Sequence, residues 1–137
     1  MQRDQVTLAT ETIHREDEPR HFMRLKPVPR RIRVLKGSQV LADTEGAFRL
    51  TELGRDIYDP VFYIPEADVK VDLMRITGKS THCPLKGDAS YFAYAGEEPI
   101  AWTYDRPMAA TKALKRLIAF YPDQVVVEEI GQTAEVE

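Results

Sequence analysis

The chain has 137 residues, of which 43 % are hydrophobic and 30 % charged, with a net charge of −3; that balance fits one globular domain around one core. No apolar run approaches the ~20 residues of a membrane-spanning helix, and the N-terminal MQRDQVTLATETIHREDEPR has no apolar h-region, so a cytoplasmic protein with no signal peptide and no membrane partner is expected. The acidic balance argues against a nucleic-acid partner, whose phosphates call for a basic excess, and the single cysteine, Cys83, excludes an intrachain disulfide and multi-cysteine zinc sites.

Residues 1–29 are polar and end in Lys26-Pro27-Val28-Pro29. Two prolines remove backbone donors and favour extended chain, so this stretch reads as an N-terminal extension and linker. The domain proper is expected over residues 30–130. Its first strand alternates Ile32 and Val34 with Arg33; the dense basic cluster Arg30, Arg31, Arg33 and Lys36 reads as the solvated face of that strand. A turn at Gly37 leads back through Val40-Leu41-Ala42 to complete a hairpin. Phe48 to Leu53 alternates again as a third strand. Val61-Phe62-Tyr63-Ile64, bounded by Pro60 and Pro65, suits a strand near a sheet edge. Val69, Val71 and Leu73 predict a further half-buried strand, followed by a turn at Gly78.

Ala89 to Tyr94 and Ile100 to Tyr104 predict a hairpin with Tyr91, Trp102 and Tyr104 among its side chains. One helix is then expected: Asp105 as N-cap, Pro107 in the first turn, and Met108, Thr111, Leu114, Leu117 and Ile118 at helical spacing. Val125-Val126-Val127 predict a last strand, and residues 131–137 an acidic tail. Short strands at regular spacing with one late helix make a mainly β, antiparallel domain rather than a βαβ fold.

Several segments recur together: K-G-x-x-V-L-A-D from Lys36, V-F-Y-I-P-x-x-D-V from Val61, T-x-C-P-x-K-G-x-A-S-Y from Thr81, A-W-x-Y-x-x-P from Ala101, and A-F-Y-P-D from Ala119. In this the chain, over about residues 30 to 128, resembles the family called domain of unknown function 427, also labelled NTP_transf_9. The resemblance implies a β-tent-like domain, an architecture in which several proteins bind structural zinc through C-x-x-C pairs; with one cysteine this chain departs from that pattern. The label suggests nucleotidyl transfer, for which the residues offer neither a P-loop nor a paired carboxylate motif.

The family motifs single out Tyr63, Asp68, Thr81, Cys83, Lys86, Tyr91, Trp102 and Tyr104 as candidate ligand-binding residues, with Cys83 and Lys86 the candidates for chemistry. Cys83 reads either as a thiol tuned by Lys86 and His82, with hydroxyls from Thr81 and Tyr91, or as a small buried apolar residue before a turn. Lys86 reads as a point charge over an anionic ligand or as a solvated turn residue. The aromatic set reads as pocket wall or as core. Asp68 reads as a partner of Lys86, a general base or a turn cap. No cofactor is expected. Nor is a metal: His14, His21 and His82 form no H-x-x-x-H or H-E-x-x-H spacing, although residues distant in the chain can assemble such a site. The expectation is a protein that takes a small polar or anionic ligand near T-x-C-P-x-K-G. The alternatives are a non-catalytic protein-interaction module and, on the label alone, nucleotidyl transfer.

Overall fold

The computed structural model describes residues 11–15 and 17–131. The described residues form eleven strands: β1 (Ile13–His14), β2 (Phe22–Pro27), β3 (Arg31–Lys36), β4 (Gln39–Thr44), β5 (Phe48–Leu53), β6 (Val61–Pro65), β7 (Met74–Cys83), β8 (Gly87–Tyr94), β9 (Glu97–Pro107), β10 (Leu117–Phe120) and β11 (Val126–Ile130). They form an eight-stranded sheet in the order β1-β2-β5-β6-β10-β9-β8-β7 and a three-stranded sheet in the order β11-β3-β4. Every pairing is antiparallel. No helix of the described residues is long and apolar enough to cross a membrane.

Because successive side chains of a strand point to opposite faces, the large sheet has two faces with separate apolar clusters. One meets the small sheet: Ile64, Ile100, Ala101, Ile118 and Phe120 pack with Ile32, Val34, Leu41 and Ala42. Burying each large aliphatic side chain there stabilises by about 1.5–3 kcal/mol. The other face gathers Met23, Leu50, Tyr63, Leu85, Tyr104, Leu114 and Leu117, and it carries the site described below.

Four expectations are corrected. The predicted late helix is absent. Asp105, Arg106 and Pro107 belong to β9, a short 3-10 segment covers Ala109–Leu114, and Leu117–Phe120 is strand β10. The helical spacing of Met108 to Ile118 is overridden by four consecutive buried residues, Leu117 to Phe120, which insert between β6 and β9. Such a continuous apolar run suits a strand buried on both faces. Lys115 is extended, and Arg116 turns the chain with φ of 69°. Asp105, expected as the N-cap, instead accepts hydrogen bonds from Ser90 Oγ and Arg75.

The linker expected up to residue 29 is also corrected: its last part is β2, paired along the length of β5, with Met23 and Val28 buried. Pro27 falls at the strand's end, where its missing donor costs little. Residues 1–10 and the predicted tail from 132 lie outside the described residues. Third, the strand at Val61–Pro65, expected near a sheet edge, lies inside the large sheet with β5 on one side and β10 on the other. Fourth, Val69 to Leu73 is not a strand. Val69 forms an isolated bridge to Ala42, Val71 and Leu73 pack on the inter-sheet core, and the strand begins at Met74, running through the expected turn at Gly78.

The basic cluster does lie at a half-exposed surface, and each member is paired: Arg30 with Glu129, Arg31 with Asp43, Arg33 with Glu128 and Lys36 with Glu97.

Candidate functional site

The turn Pro84-Leu85-Lys86 joins β7 to β8, and its shape depends on Gly87. That residue has φ of +106°, and a Cβ there would lie 2.4 Å from the Arg106 carbonyl oxygen, so only glycine lets β8 start this close to β9. The 3-10 segment fastens the turn from outside. Thr111 Oγ1 donates to the carbonyl of Lys86 at 3.2 Å, and Met108 N donates to the same oxygen at 3.2 Å. Leu85 is buried beneath.

So held, Lys86 points inward with 12 % of its side chain exposed and donates to Glu52 Oε1 at 2.5 Å. Glu52, on β5 and 8 % exposed, meets His21 Nε2 through its other oxygen at 2.9 Å. The Lys86 ammonium also stands 5.2 Å from the centre of the Tyr104 ring, a favourable cation–π position. Burial works against the lysine's charge, but the surrounding Tyr63 and Tyr104 hydroxyls and the Glu52 carboxylate outweigh it and hold the ammonium well above the ordinary lysine range. Unpaired, either charge would be costly at this depth. Among the described residues no buried side-chain polar atom lacks a partner.

Tyr63 lies beside this centre. Its hydroxyl accepts from Trp102 Nε1 at 3.0 Å, and the two rings meet edge to face at 6.3 Å. Burial pushes the Tyr63 hydroxyl far above the usual phenol range, the Lys86 charge opposing only in part. Burial raises Tyr104 as well. Both phenols are therefore neutral at physiological pH.

Above the centre a cleft of about 880 Å³ opens to solvent, lined by Arg15, Arg20, His21, Glu52, Arg55, Tyr63, His82, Cys83, Lys86 and Trp102 among others. A void of this size holds a metabolite-sized ligand. Of the eight residues expected to bind ligand, Tyr63, Cys83, Lys86 and Trp102 line it. Tyr104 supports Lys86 from below. Thr81 and Tyr91 bond to each other at 2.6 Å on the half-exposed surface of β7 and β8, outside the lining. Asp68 is placed elsewhere and does not pair with Lys86: it accepts from Thr44 Oγ1 at 2.6 Å beneath the 3-10 turn Glu66–Asp68. A second recess of about 520 Å³, lined by Val71, Leu73, Arg75, Phe92 and Lys115 among others, contains none of the eight.

The two groups expected to tune the Cys83 thiol are both engaged by carboxylates, Lys86 by Glu52 and His82 by Asp88 at 2.7 Å. Cys83 itself is half-buried at the end of β7. The residues missed from the sequence are Glu52 and His21. Glu52 had a signal: it shares a strand face with Leu50, so its carboxylate had to enter the apolar side and find a cation. His21 had none, lying in the stretch read as linker.

No curated protein matches the chain at a significant level. The family model NTP_transf_9 matches residues 24–131, a span that takes in Glu52, Cys83 and Lys86 and stops short of His21. The chain therefore belongs to that family, whose description is Domain of unknown function (DUF427).

Proposed function

We propose that the protein binds a small polar ligand with a carboxylate or phosphate group in the cleft between β5 and the β7–β8 turn. The observation that carries this reading is the cleft's floor: a largely buried, hydrogen-bonded Lys86–Glu52–His21 chain that opens to solvent beside Cys83 and Trp102. A buried ion pair is a poor source of stability, since an apolar pair of similar volume does as well or better. Its placement under an open cleft favours recognition. Because Glu52 already meets the Lys86 charge, the lysine orients the carboxylate, and the attraction for an anion falls to the rim. There Arg15 and Arg20 are bound to Asp17 and Glu18, whereas the exposed Arg55 makes no ion pair among the described residues. Trp102 and Tyr63 supply the apolar wall. The β-tent arrangement implied by the family resemblance belongs to the same reading, with the two sheets as its walls.

A thermal-shift screen of carboxylates and phosphates checks the reading. The expected outcome is a concentration-dependent rise in melting temperature that Arg55→Ala weakens without altering the melting temperature of the free protein. If no member of the screen shifts the protein, or if every shift is unchanged in Arg55→Ala, the reading fails.

A further inference from the structure

The floor of the cleft has a feature that anion binding does not use. His21, Glu52 and Cys83 come from three separate parts of the chain, yet one donor atom of each lies within 4.8 Å of the other two. Taking the proposed cleft as the functional site, we propose that these three side chains form a binding site for a borderline-soft divalent cation, zinc above all, with the remaining coordination position facing the cleft.

The donor set decides the class of ion. One imidazole nitrogen, one carboxylate oxygen and one thiolate sulfur suit zinc or cobalt; magnesium and calcium prefer oxygen alone. Tetrahedral zinc with bonds of about 2.0–2.3 Å keeps its ligands about 3.3–3.8 Å apart. His21 Nε2 and Glu52 Oε2 already stand 2.9 Å apart, so closure on an ion asks for movements on the order of 1 Å, chiefly of the Cys83 sulfur. Three protein ligands with an open fourth position are the pattern of a zinc that meets water or substrate; structural zinc is closed by four.

The surroundings fit the same role. Glu52 is pinned through Oε1 by Lys86, which leaves Oε2 for the ion and acts as the outer partner that ligating carboxylates usually have. His21 is half-buried, and its ring lies against Gly54, where a Cβ would come within 3.3 Å of it. On binding, the His21 Nε2 proton that bridges to Glu52 passes through solvent to Nδ1, or is released, so that the Nε2 lone pair meets the ion, and the Cys83 thiol releases its proton to solvent. Lys86 tempers the affinity: its positive charge beside Glu52 repels the incoming cation and stands in for it while the site is metal-free. With the ion bound, the Glu52 carboxylate carries a positive partner on each oxygen, Lys86 on Oε1 and the ion on Oε2.

Titration of the chelator-stripped full-length protein with cobalt(II) tests this directly. One equivalent is expected to produce intense tetrahedral visible bands and a sulfur-to-cobalt charge-transfer band. Cys83→Ser should abolish the charge-transfer band, and Cys83→Ser and His21→Ala should each weaken binding by about tenfold or more. His82→Ala, at the rim and bound to Asp88, should leave it unchanged. A second readout separates ligation from folding. In Lys86→Met, which leaves Glu52 without its cation, zinc should raise the melting temperature by more than in the parent protein; a purely structural centre shows no such metal-dependent recovery. A featureless or octahedral spectrum, retention of the bands in Cys83→Ser, or equal binding by His21→Ala overturns the proposal. If that happens while carboxylates or phosphates still shift the metal-free protein, the ion is refuted and the cleft reading stands; cobalt bands without any such shift refute the anion and leave the ion.

Discussion

The two faces of the eight-stranded sheet are made by the same strands and do opposite work. Ile64 and Tyr63 are neighbours on β6, as are Ile118 and Leu117 on β10. The Ile64 side is sealed by the small sheet and is almost wholly aliphatic. The Tyr63 side buries a lysine, a glutamate and phenol hydroxyls under an open cleft. The first face needs only shape and apolar area. The second holds groups that are costly to desolvate and gain nothing in stability over an apolar pair. Polar groups placed at that disadvantage, beneath an open cleft, are the ground for the proposed binding site.

The largest effect that sharpens this contrast is Lys86→Ala. It leaves the Glu52 carboxylate buried without a cation and should cost about 3–5 kcal/mol in chemical denaturation. Leu41→Ala, on the small sheet in the core between the two sheets and fully buried, should cost about 2–5 kcal/mol. The faces part company in what is lost besides stability, because ligand or ion binding should survive Leu41→Ala in whatever fraction remains folded.

Next comes alkaline pH. Tyr63 keeps its proton in the folded protein far beyond the usual range, so the folded chain holds a proton that the unfolded chain releases near pH ~10. The stability linked to Tyr63 is therefore fully present below about pH 10 and lost as pH rises above it. Melting temperature against pH should fall on that side, and tyrosinate absorbance should show a fraction that ionises only on unfolding. Ionisation of every tyrosine in the still-folded protein would contradict this burial. The smallest effect belongs to the outer surface: Arg31→Ala removes a bidentate but exposed pair with Asp43 and should change stability by less than about 1 kcal/mol.

The same contrast explains what the sequence disclosed. Alternation identified most strands and even the aromatic hairpin, because a sheet with one sealed face imposes period 2 on its residues. It failed at Leu117 to Phe120, where burial on both faces erases alternation and the preceding residues mimic a helical stripe. It failed again at Phe22 to Pro27, where prolines suggested a linker although β5 offered a full-length partner. At the site, the T-x-C-P-x-K-G motif located the turn, with Cys83 and Lys86, but not what the lysine meets. Asp68, inside the motif beginning at Val61, reads from sequence as a partner of Lys86, a general base or a turn cap, and it is not what Lys86 meets. Glu52 reaches Lys86 only because β5 lies across the sheet, a long-range consequence of strand order that no local spacing encodes.

The central claim is that the buried Lys86–Glu52 pair exists for binding and not for stability. It is tested most directly by the denaturation free energy of the double variant Lys86→Met/Glu52→Leu, which replaces both charges by apolar groups of similar size. The account predicts a protein within about 1 kcal/mol of the parent, or more stable, and far more stable than Lys86→Ala. A double variant that loses as much as the single one would show that the pair holds the fold together, and would contradict the account.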